Sequence, residues 1–386
     1  MINKVLRPIK LVKSILDNYF VHSTNTNAEK VFIKKLSRYK IPWQAGKKEL
    51  ILTQALKDYG PCLSLAPTCY ALAKKENANL GVYTVMSRLE ENEYADSYIK
   101  YKLYTEVAYR KLDNIYLSYA GKVVYRNVFL HKNHKLINRH FNEIKQAIET
   151  KDDVIKLEIE GIKIGDLIYD TYLRFANKPT LDIEDPFLDK VIIQALHLYF
   201  NYNDLLKQYD VKALVHLYAT YIHHGIIVRL CLKNNIPVYV VGAHLFIVKK
   251  LHQNFPSHAN DHFLFHKIFE QIDNKSDKIQ LAKKLFERRF TGKVDTAISY
   301  MRTNSFSNEQ REEMNKYNWD KTVLVLAHCF FDSPHVYRSL LFPDFHEWLT
   351  YTLDTLKQVE GITVLVKPHP NGKQGNDEIF ETFQEK

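Results

Sequence analysis

The chain has 386 residues, a formal net charge of +10 and a pI near 9.1, with 46% hydrophobic and 25% charged residues. This composition is typical of a folded protein of about two domains, and it excludes a disordered chain. The sequence has no apolar run long enough for a spanning helix. The positive charge predicts an acidic partner, such as anionic lipid, a phosphorylated donor or an acidic glycan. Nucleic acid is not expected, because the signatures of nucleic-acid-binding modules are missing from the sequence.

The four cysteines show neither a C-x-x-C spacing nor the pattern of a disulfide framework. The N-terminus lacks a secretory signal. Reduced thiols and a cytoplasmic location are therefore expected.

Residues 1–20 have the pattern of a basic amphipathic helix, with Leu6, Ile9 and Leu16 on one side and lysines around them. Such a helix lies on an anionic membrane surface or packs on its own domain, and the pattern does not distinguish these alternatives. A polar connector and a second basic segment complete an N-terminal extension over residues 1–47.

Residues 48–250 predict a first Rossmann-like domain. Its first strand is expected at Glu49–Gln54, its first helix at 66–73 and its second strand at Asn79–Val85. The loop after the first strand has no G-x-G-x-x-G fingerprint, so a dinucleotide is not expected. Asp58 in this loop is a candidate general base, and an ordinary turn aspartate is the alternative.

The segment 161–174 has a glycine-and-acid pattern before a helix. Gly165 permits a tight turn, and Asp166 is expected to cap the helix. Asp170 and Arg174 follow on the helix itself. The alternative needs no binding role: the segment would then supply a helix cap, an aromatic ring of the core and an exposed charge.

Residues 211–241 predict a second βαβ unit. It places Tyr221, His223, His224 and Arg229 where a loop meets a helix. Adjacent histidines do not form a metal pair, because their side chains point in different directions. One of them is expected to contact an acceptor or to accept a proton.

Residues 251–320 predict a helical connector and linker, with helical structure from about 245 to 300. His252, His258, His262 and His266 recur in this region, but the H-E-x-x-H motif is missing. We therefore expect no metal site there.

Residues 321–386 predict the first part of a second Rossmann-like domain. A buried strand at Thr322–Ala327, a helix that begins near Asp344 and a strand at Ile362–Val366 form one βαβ unit. Ligands bind beyond the carboxyl ends of such strands. The first strand is followed by the loop from His328 to His335, and the second by Lys367-Pro-His-Pro370 and Asn371-Gly372. A lysine and a histidine near a helix N-terminus form a predicted phosphate site.

The motif Lys367-Pro-His-Pro370 after a buried strand resembles the His-Pro motif of bacterial capsule and surface-polysaccharide transferases. This group includes Kdo transferases, polysialyltransferases and CDP-glycerol glycerophosphotransferases. The segments 161–174 and 218–242 are similar to the same group. The resemblance implies an α/β fold of two Rossmann-like domains (GT-B), the second incomplete in this chain. It also implies a cytoplasmic enzyme, peripheral on the inner membrane, that extends a capsule or lipopolysaccharide glycan.

The resemblance implies a role for each candidate residue. Those for the donor phosphate or nucleotide are Lys367, His369, Asn371, Gly372, His328 and Ser333. Those for the glycan or glycolipid acceptor are Asp166, Asp170, Arg174, Tyr221, His223 and Arg229. The catalytic candidates are Asp58, His224 and Asp332, and a turn residue is the alternative for Asp332. We expect the two second-domain loops to face Asp58 and His224 across a cleft. No metal or other cofactor is expected, because the nucleotide sugar, with CMP-Kdo favoured, is itself a substrate.

Three alternatives remain open from the sequence. The same phosphate site would serve transfer of a polyol phosphate from CDP-glycerol. A sugar-nucleotide epimerase of the same fold would turn over the donor without an acceptor. The chain could also be an inactive scaffolding fragment, because a half-sheet of two strands leaves apolar faces and an edge unpaired.

Overall fold

The structure is a computed structural model. It divides into two compact units, Met1–His258 with Phe330–Asp344, and Ala259–Cys329 with Phe345–Lys386. The residues that it describes are 25–56, 59–84, 112–126, 131–242, 248–259, 265–293, 312–337, 340–369 and 383.

The first unit is built on a six-stranded sheet in the order β3-β2-β1-β6-β7-β8. All neighbouring strands in it are parallel except β7 and β8. The expected α/β class with a mostly parallel sheet is therefore confirmed. The six strands are β1 (Glu49–Ala55), β2 (Asn79–Thr84), β3 (Lys122–Arg126), β6 (Asp210–His216), β7 (Val238–Val241) and β8 (Val248–Lys250), while β4 (Glu158–Ile159) and β5 (Ile162–Lys163) form a separate small hairpin.

Helices pack on this sheet through two apolar clusters. The larger cluster is centred on a 23-residue helix, α6, which begins after the N-cap Asp185. The side chain of Asp185 accepts a hydrogen bond from the amide of Phe187 and so satisfies one of the free amides of the first turn. The helices of this unit are α1 (Asn27–Leu36), α2 (Cys62–Lys75), α3 (His134–Ala147), α4 (Lys151–Lys156), α5 (Gly165–Ala176), α6 (Pro186–Gln208) and α7 (Tyr221–Lys233).

The predicted N-terminal extension contains α1, which is stabilised by a capping box between Thr26 and Glu29, and this helix lies within the segment expected to be basic. One sequence prediction for this unit is wrong. Residues 248–250, expected to be helical, form the antiparallel edge strand β8 instead. The next residue, Leu251, donates its amide hydrogen to the carbonyl of Val238 and is buried, so sheet pairing outweighs helix formation here.

The strand order reverses between the neighbouring strands β1 and β6. The chain leaves β1 towards β2 on one side, and it leaves β6 towards β7 on the other, although β1 and β6 are neighbours. Such a reversal of strand order is the usual position of ligand sites in parallel sheets. It brings Gln54, near the end of β1, close to His216 at the end of β6.

The second unit contains the predicted βαβ arrangement. The strands β9 (Thr322–Leu326) and β10 (Thr363–Lys367) pair in parallel, and α10 (Phe345–Leu356) lies between them in sequence. The side chains of Leu324 and Leu326 are 49% and 62% exposed, so β9 is not buried on both faces as its sequence predicts. The described part of this sheet has two strands, and one of its faces is open to solvent.

Two further helices of the second unit are α8 (Phe265–Glu270) and α9 (Lys275–Phe290). Among the described residues, none of the helices is both long and apolar enough to cross a membrane.

Candidate functional site

The candidate site of the first unit begins with a hydrogen bond between Gln54 and His224. The side-chain oxygen of Gln54 lies 2.8 Å from Nδ1 of His224 at the start of α7. An amide oxygen only accepts hydrogen bonds, so Nδ1 carries the proton and Nε2 has the free lone pair. Gln54 is buried, and its Nε2 has no hydrogen-bond partner within the described residues.

His216 lies beside this pair and is also held in one tautomer. Its Nδ1 is 2.6 Å from the carbonyl oxygen of Tyr218, to which it donates. Its Nε2 then accepts from the hydroxyl of Tyr83 at 2.5 Å. Burial raises the pKa of Tyr83 well above its usual value, so this hydroxyl stays protonated.

Three imidazoles of this cluster are neutral at pH 7. Burial lowers the pKa of His216 to about 4 and that of His223 to about 3. Burial and the neighbouring histidines bring the pKa of His224 well below 6.5. The ring centres of His223 and His224 are 4.2 Å apart, and those of His216 and His224 are 5.6 Å apart. The cluster therefore offers hydrogen-bonding groups without net charge.

The neutral histidines make the fold sensitive to acid. Between the native pKa of about 3 for His223 and an unfolded value of about 6.5, the unfolded chain binds a proton that the native chain does not. Stability is therefore lost as the pH falls through this window, by roughly 2 to 3 kcal/mol between pH 6.5 and 4.5 for this residue. Denaturant unfolding of wild type and His223→Phe over that range should show a flatter pH dependence in the variant.

Identical pH dependence in wild type and His223→Phe would contradict a neutral His223 in the native protein.

Two tyrosines form an aromatic wall next to the histidines. Tyr218 is 42% exposed, and its ring lies 5.8 Å from that of His224 and 5.7 Å from that of His258. Tyr221 stacks on His223 with ring centres 5.7 Å apart and planes at 6°. Tyr221 also has a φ of +58°, which is unfavourable for a bulky residue. Strained backbone of this kind is often found at functional sites.

The helix α5 contributes an ion pair. The two terminal nitrogens of Arg229, Nη1 and Nη2, donate to the carboxylate of Asp166 at 2.6 and 2.7 Å. Burial opposes ionisation of Asp166, but Arg229 outweighs it and holds the pKa of the carboxyl below its usual value. The predicted cap is wrong, since Ile164 is at the N-cap position and Asp166 lies in the first turn. A bidentate pair buried to this extent fixes α7 against α5.

A second pair on α5 joins Asp170 to His335. The carboxylate Oδ1 of Asp170 lies 2.6 Å from Nδ1 of His335, and Asp170 is almost completely buried. Burial disfavours a charged His335, but the carboxylate outweighs it and raises the pKa of the imidazole. His335 therefore donates from Nδ1, and the pair anchors the segment Phe330–Asp344 to the first unit.

The same segment is held at two more points. Asp344 accepts hydrogen bonds from the hydroxyls of Tyr169 and Thr180, both at 2.6 Å. The hydroxyl of Tyr221 lies 3.4 Å from Oδ1 of the exposed Asp332. The carboxylate of Asp344 therefore joins this segment to α5.

Asp332 and Ser333 consequently belong to the first unit, whereas the sequence analysis placed them in the second domain. Ser333 is buried, and Arg174 on α5 is half-buried. Asp170, Arg174 and Asp332 thus lie near Tyr221, whereas Asp166 and Arg229 pair with each other.

In the second unit, His328, Lys367 and His369 lie at the carboxyl ends of β9 and β10. The rings of His328 and His369 are 5.6 Å apart, and His328 stacks on Phe345 at 4.2 Å. Lys367 is the exposed last residue of β10. Parallel pairing of the two strands therefore places His328 beside the segment 367–369.

Several predictions lie outside the described residues. These are Asp58, Asn371, Gly372 and the basic helix over residues 1–20. Within the described ranges, no group of three or more His, Cys, Asp or Glu side chains could hold a metal ion.

Three residues of the candidate site were not identified from the sequence. Gln54 is a polar residue at the end of an apolar strand, and that position was its available signal. His216 ends the strand β6 in the same way. His335 lies more than 160 residues from its partner Asp170, so only the tertiary fold reveals the pair.

Comparison with protein-family models, curated proteins and solved structures finds no match to this chain. The similarity of Lys367-Pro-His-Pro370 to the His-Pro motif therefore stays a resemblance.

Proposed function

We propose that the chain transfers a sugar from a nucleotide-activated donor, with CMP-linked donors such as CMP-Kdo favoured, to a hydroxyl of a glycan or glycolipid. In this proposal the second unit binds the donor and the first unit binds the acceptor. The observation that carries it is the pairing of His328 with His369 beyond two parallel strands, in a chain whose His-Pro motif resembles that of polysaccharide transferases.

On the donor side, the proposed ligand of His369 and Lys367 is the phosphate. A lysine at a strand end and imidazole N–H groups offer charge and hydrogen bonds to phosphate oxygens. The same contacts would stabilise the negative charge that develops on the departing nucleotide, which lowers the barrier to transfer. His328 would provide a second imidazole beside the first.

On the acceptor side, His224 is the proposed partner of the reacting hydroxyl. Gln54 fixes the Nδ1 proton of His224, so the lone pair of Nε2 is available to accept the hydroxyl proton. The low pKa of His224 keeps the imidazole unprotonated and ready to accept at neutral pH. Asp332 remains a candidate for the same task.

The chemistry of the first-unit site supports a sugar as the acceptor. Neutral imidazoles and an amide offer hydrogen bonds without a net charge, which suits hydroxyl groups. The partly exposed ring of Tyr218 offers an apolar face, and amphipathic aromatic rings commonly combine apolar contact with hydrogen bonding. The enzyme would act at the cytoplasmic face of the inner membrane, where glycolipid acceptors are built.

Donor turnover tests the proposal. Purified protein is incubated with CMP- and CDP-activated donors, with and without a glycolipid acceptor, and the products are identified by mass spectrometry. We expect acceptor-dependent release of CMP or CDP and a product that gains a sugar. Retention of a phosphate on the product would instead indicate polyol-phosphate transfer, and turnover without acceptor would indicate an epimerase. No turnover of any activated donor would contradict an enzymatic role.

A further inference from the structure

The helix α9 is fully exposed although it carries large apolar side chains. None of its residues is buried, and the side chains of Ile279, Leu285 and Phe286 are 42%, 57% and 62% exposed. The preceding helix α8 also has no buried residue, and Phe265 is 61% exposed. Most helices in proteins are stabilised by packing of an amphipathic face, so an open apolar face predicts a partner.

The apolar residues of α9 lie on one side of the helix. Ile279, Phe286 and Phe290 recur at intervals of seven and four residues, which places them along one line. At about 100° per residue, Leu281 and Leu285 extend the apolar side to about half the circumference, but the basic residues Lys278 and Arg289 lie between them and this line. The line of Ile279, Phe286 and Phe290 is therefore the part that can enter an apolar layer, with basic side chains on both sides of it.

The polar side chains around this face are mostly basic. Residues 265–293 contain eight lysines and arginines against four aspartates and glutamates, a net charge of +4. Lys283 and Arg288 lie at the two edges of the apolar face. Neither forms an ion pair with another described residue. Their long side chains can reach along the apolar surface while the charged groups stay at the level of a polar layer.

The positive charge of this surface indicates which kind of partner binds to it. A second copy of the same helix would bring two surfaces of equal positive charge together, which is unfavourable. An anionic lipid surface offers phosphates to the basic edges and an apolar interior to the face between them. We propose that α8 and α9, residues 265–290, form a membrane-docking surface for anionic phospholipids. This proposal does not depend on the proposed transferase activity, nor on the predicted helix over residues 1–20.

Vesicle sedimentation with the full chain tests the proposal. The double variant Ile279→Gln/Phe286→Gln keeps the charge and removes the apolar anchor. It should bind vesicles of phosphatidylcholine and phosphatidylglycerol at least about tenfold more weakly than wild type, because the two apolar side chains that would enter the lipid are lost. The matched control Ser276→Gln/Gln280→Ser changes the opposite face and should bind like wild type. Lys283→Gln/Arg288→Gln should weaken binding and reduce its dependence on salt.

A second measurement reports insertion directly. In the variant Phe286→Trp, addition of anionic vesicles should shift the additional tryptophan emission to shorter wavelength, while pure phosphatidylcholine should have little effect. Equal vesicle binding by the apolar double variant and its control would overturn the proposal, as would an unchanged Phe286→Trp emission. Loss of a wild-type dimer in the apolar double variant, with vesicle binding unchanged, would overturn it in favour of self-association.

Discussion

The substitution His224→Ala is expected to lower the rate of sugar transfer by about 10²- to 10⁴-fold, which is the usual contribution of a positioned general base. The physical reason is that Nε2 of His224 is the nitrogen left free by the hydrogen bond to Gln54. The measurement is the initial rate of acceptor-dependent nucleotide release at pH 7.5. The matched control is the exposed residue His252, whose replacement by alanine should leave the rate unchanged.

The substitution Gln54→Leu tests the positioning of His224. Removal of the unpartnered amide nitrogen of Gln54 should offset only part of the roughly 1 to 3 kcal/mol that is lost when the Nδ1–H of His224 has no acceptor. The proton on Nδ1 of His224 would lose its acceptor, so the tautomer would no longer be fixed and the rate should fall. Full activity of both His224→Ala and Gln54→Leu would assign the proton transfer to another residue, such as Asp332.

The largest expected effect on stability is that of Gly165→Ala. A Cβ atom at this position would lie 1.9 Å from the carbonyl oxygen of Val154 and 2.7 Å from backbone atoms of Ile155 and Leu157. These are main-chain atoms at the end of α4 and cannot move away as a flexible side chain would. We therefore expect a loss of about 3 kcal/mol or more, at the upper end of overpacking effects.

Gly161→Ala is the matched control for this prediction. Gly161 has a φ of +72°, and the nearest atom to an added Cβ is Nζ of Lys233 at 3.7 Å. Its substitution should cost about 1 to 2 kcal/mol from backbone strain alone. Urea denaturation compares the two variants. A smaller effect at Gly165 than at Gly161 would show that α4 and α5 can separate without loss of stability.

Much of the sheet follows from the sequence because each strand is a short apolar run with clear ends. The predicted strands near β1, β2, β6 and β7, and the βαβ unit of β9 and β10, all have their counterparts in the structure. The histidines at the start of α7 were identified as candidates for the same reason, since they follow a buried strand directly. The local sequence pattern and the order of elements along the chain are sufficient to predict these features.

Other features depend on contacts between distant segments. The strand β8 has no clear period of its own and forms because its backbone pairs with β7. Asp170 and His335 are charged or polar residues with no local signal of their pairing. The exposure of Leu324 and Leu326 was not predicted either, because an apolar run indicates a buried strand regardless of how many strands surround it. These features depend on the tertiary structure and cannot be predicted from the local sequence.

Nucleotide binding tests the central proposal most directly. Wild type and His369→Ala are titrated with CMP, CDP and UDP by calorimetry. We expect wild type to bind at least one cytidine nucleotide, and we expect His369→Ala to bind it at least about tenfold more weakly, because one charge-assisted contact to phosphate is worth about 1.5 to 3 kcal/mol. His252→Ala should bind like wild type. Absence of binding to all three nucleotides, or equal affinity in His369→Ala, would contradict a donor-phosphate site at the end of β10.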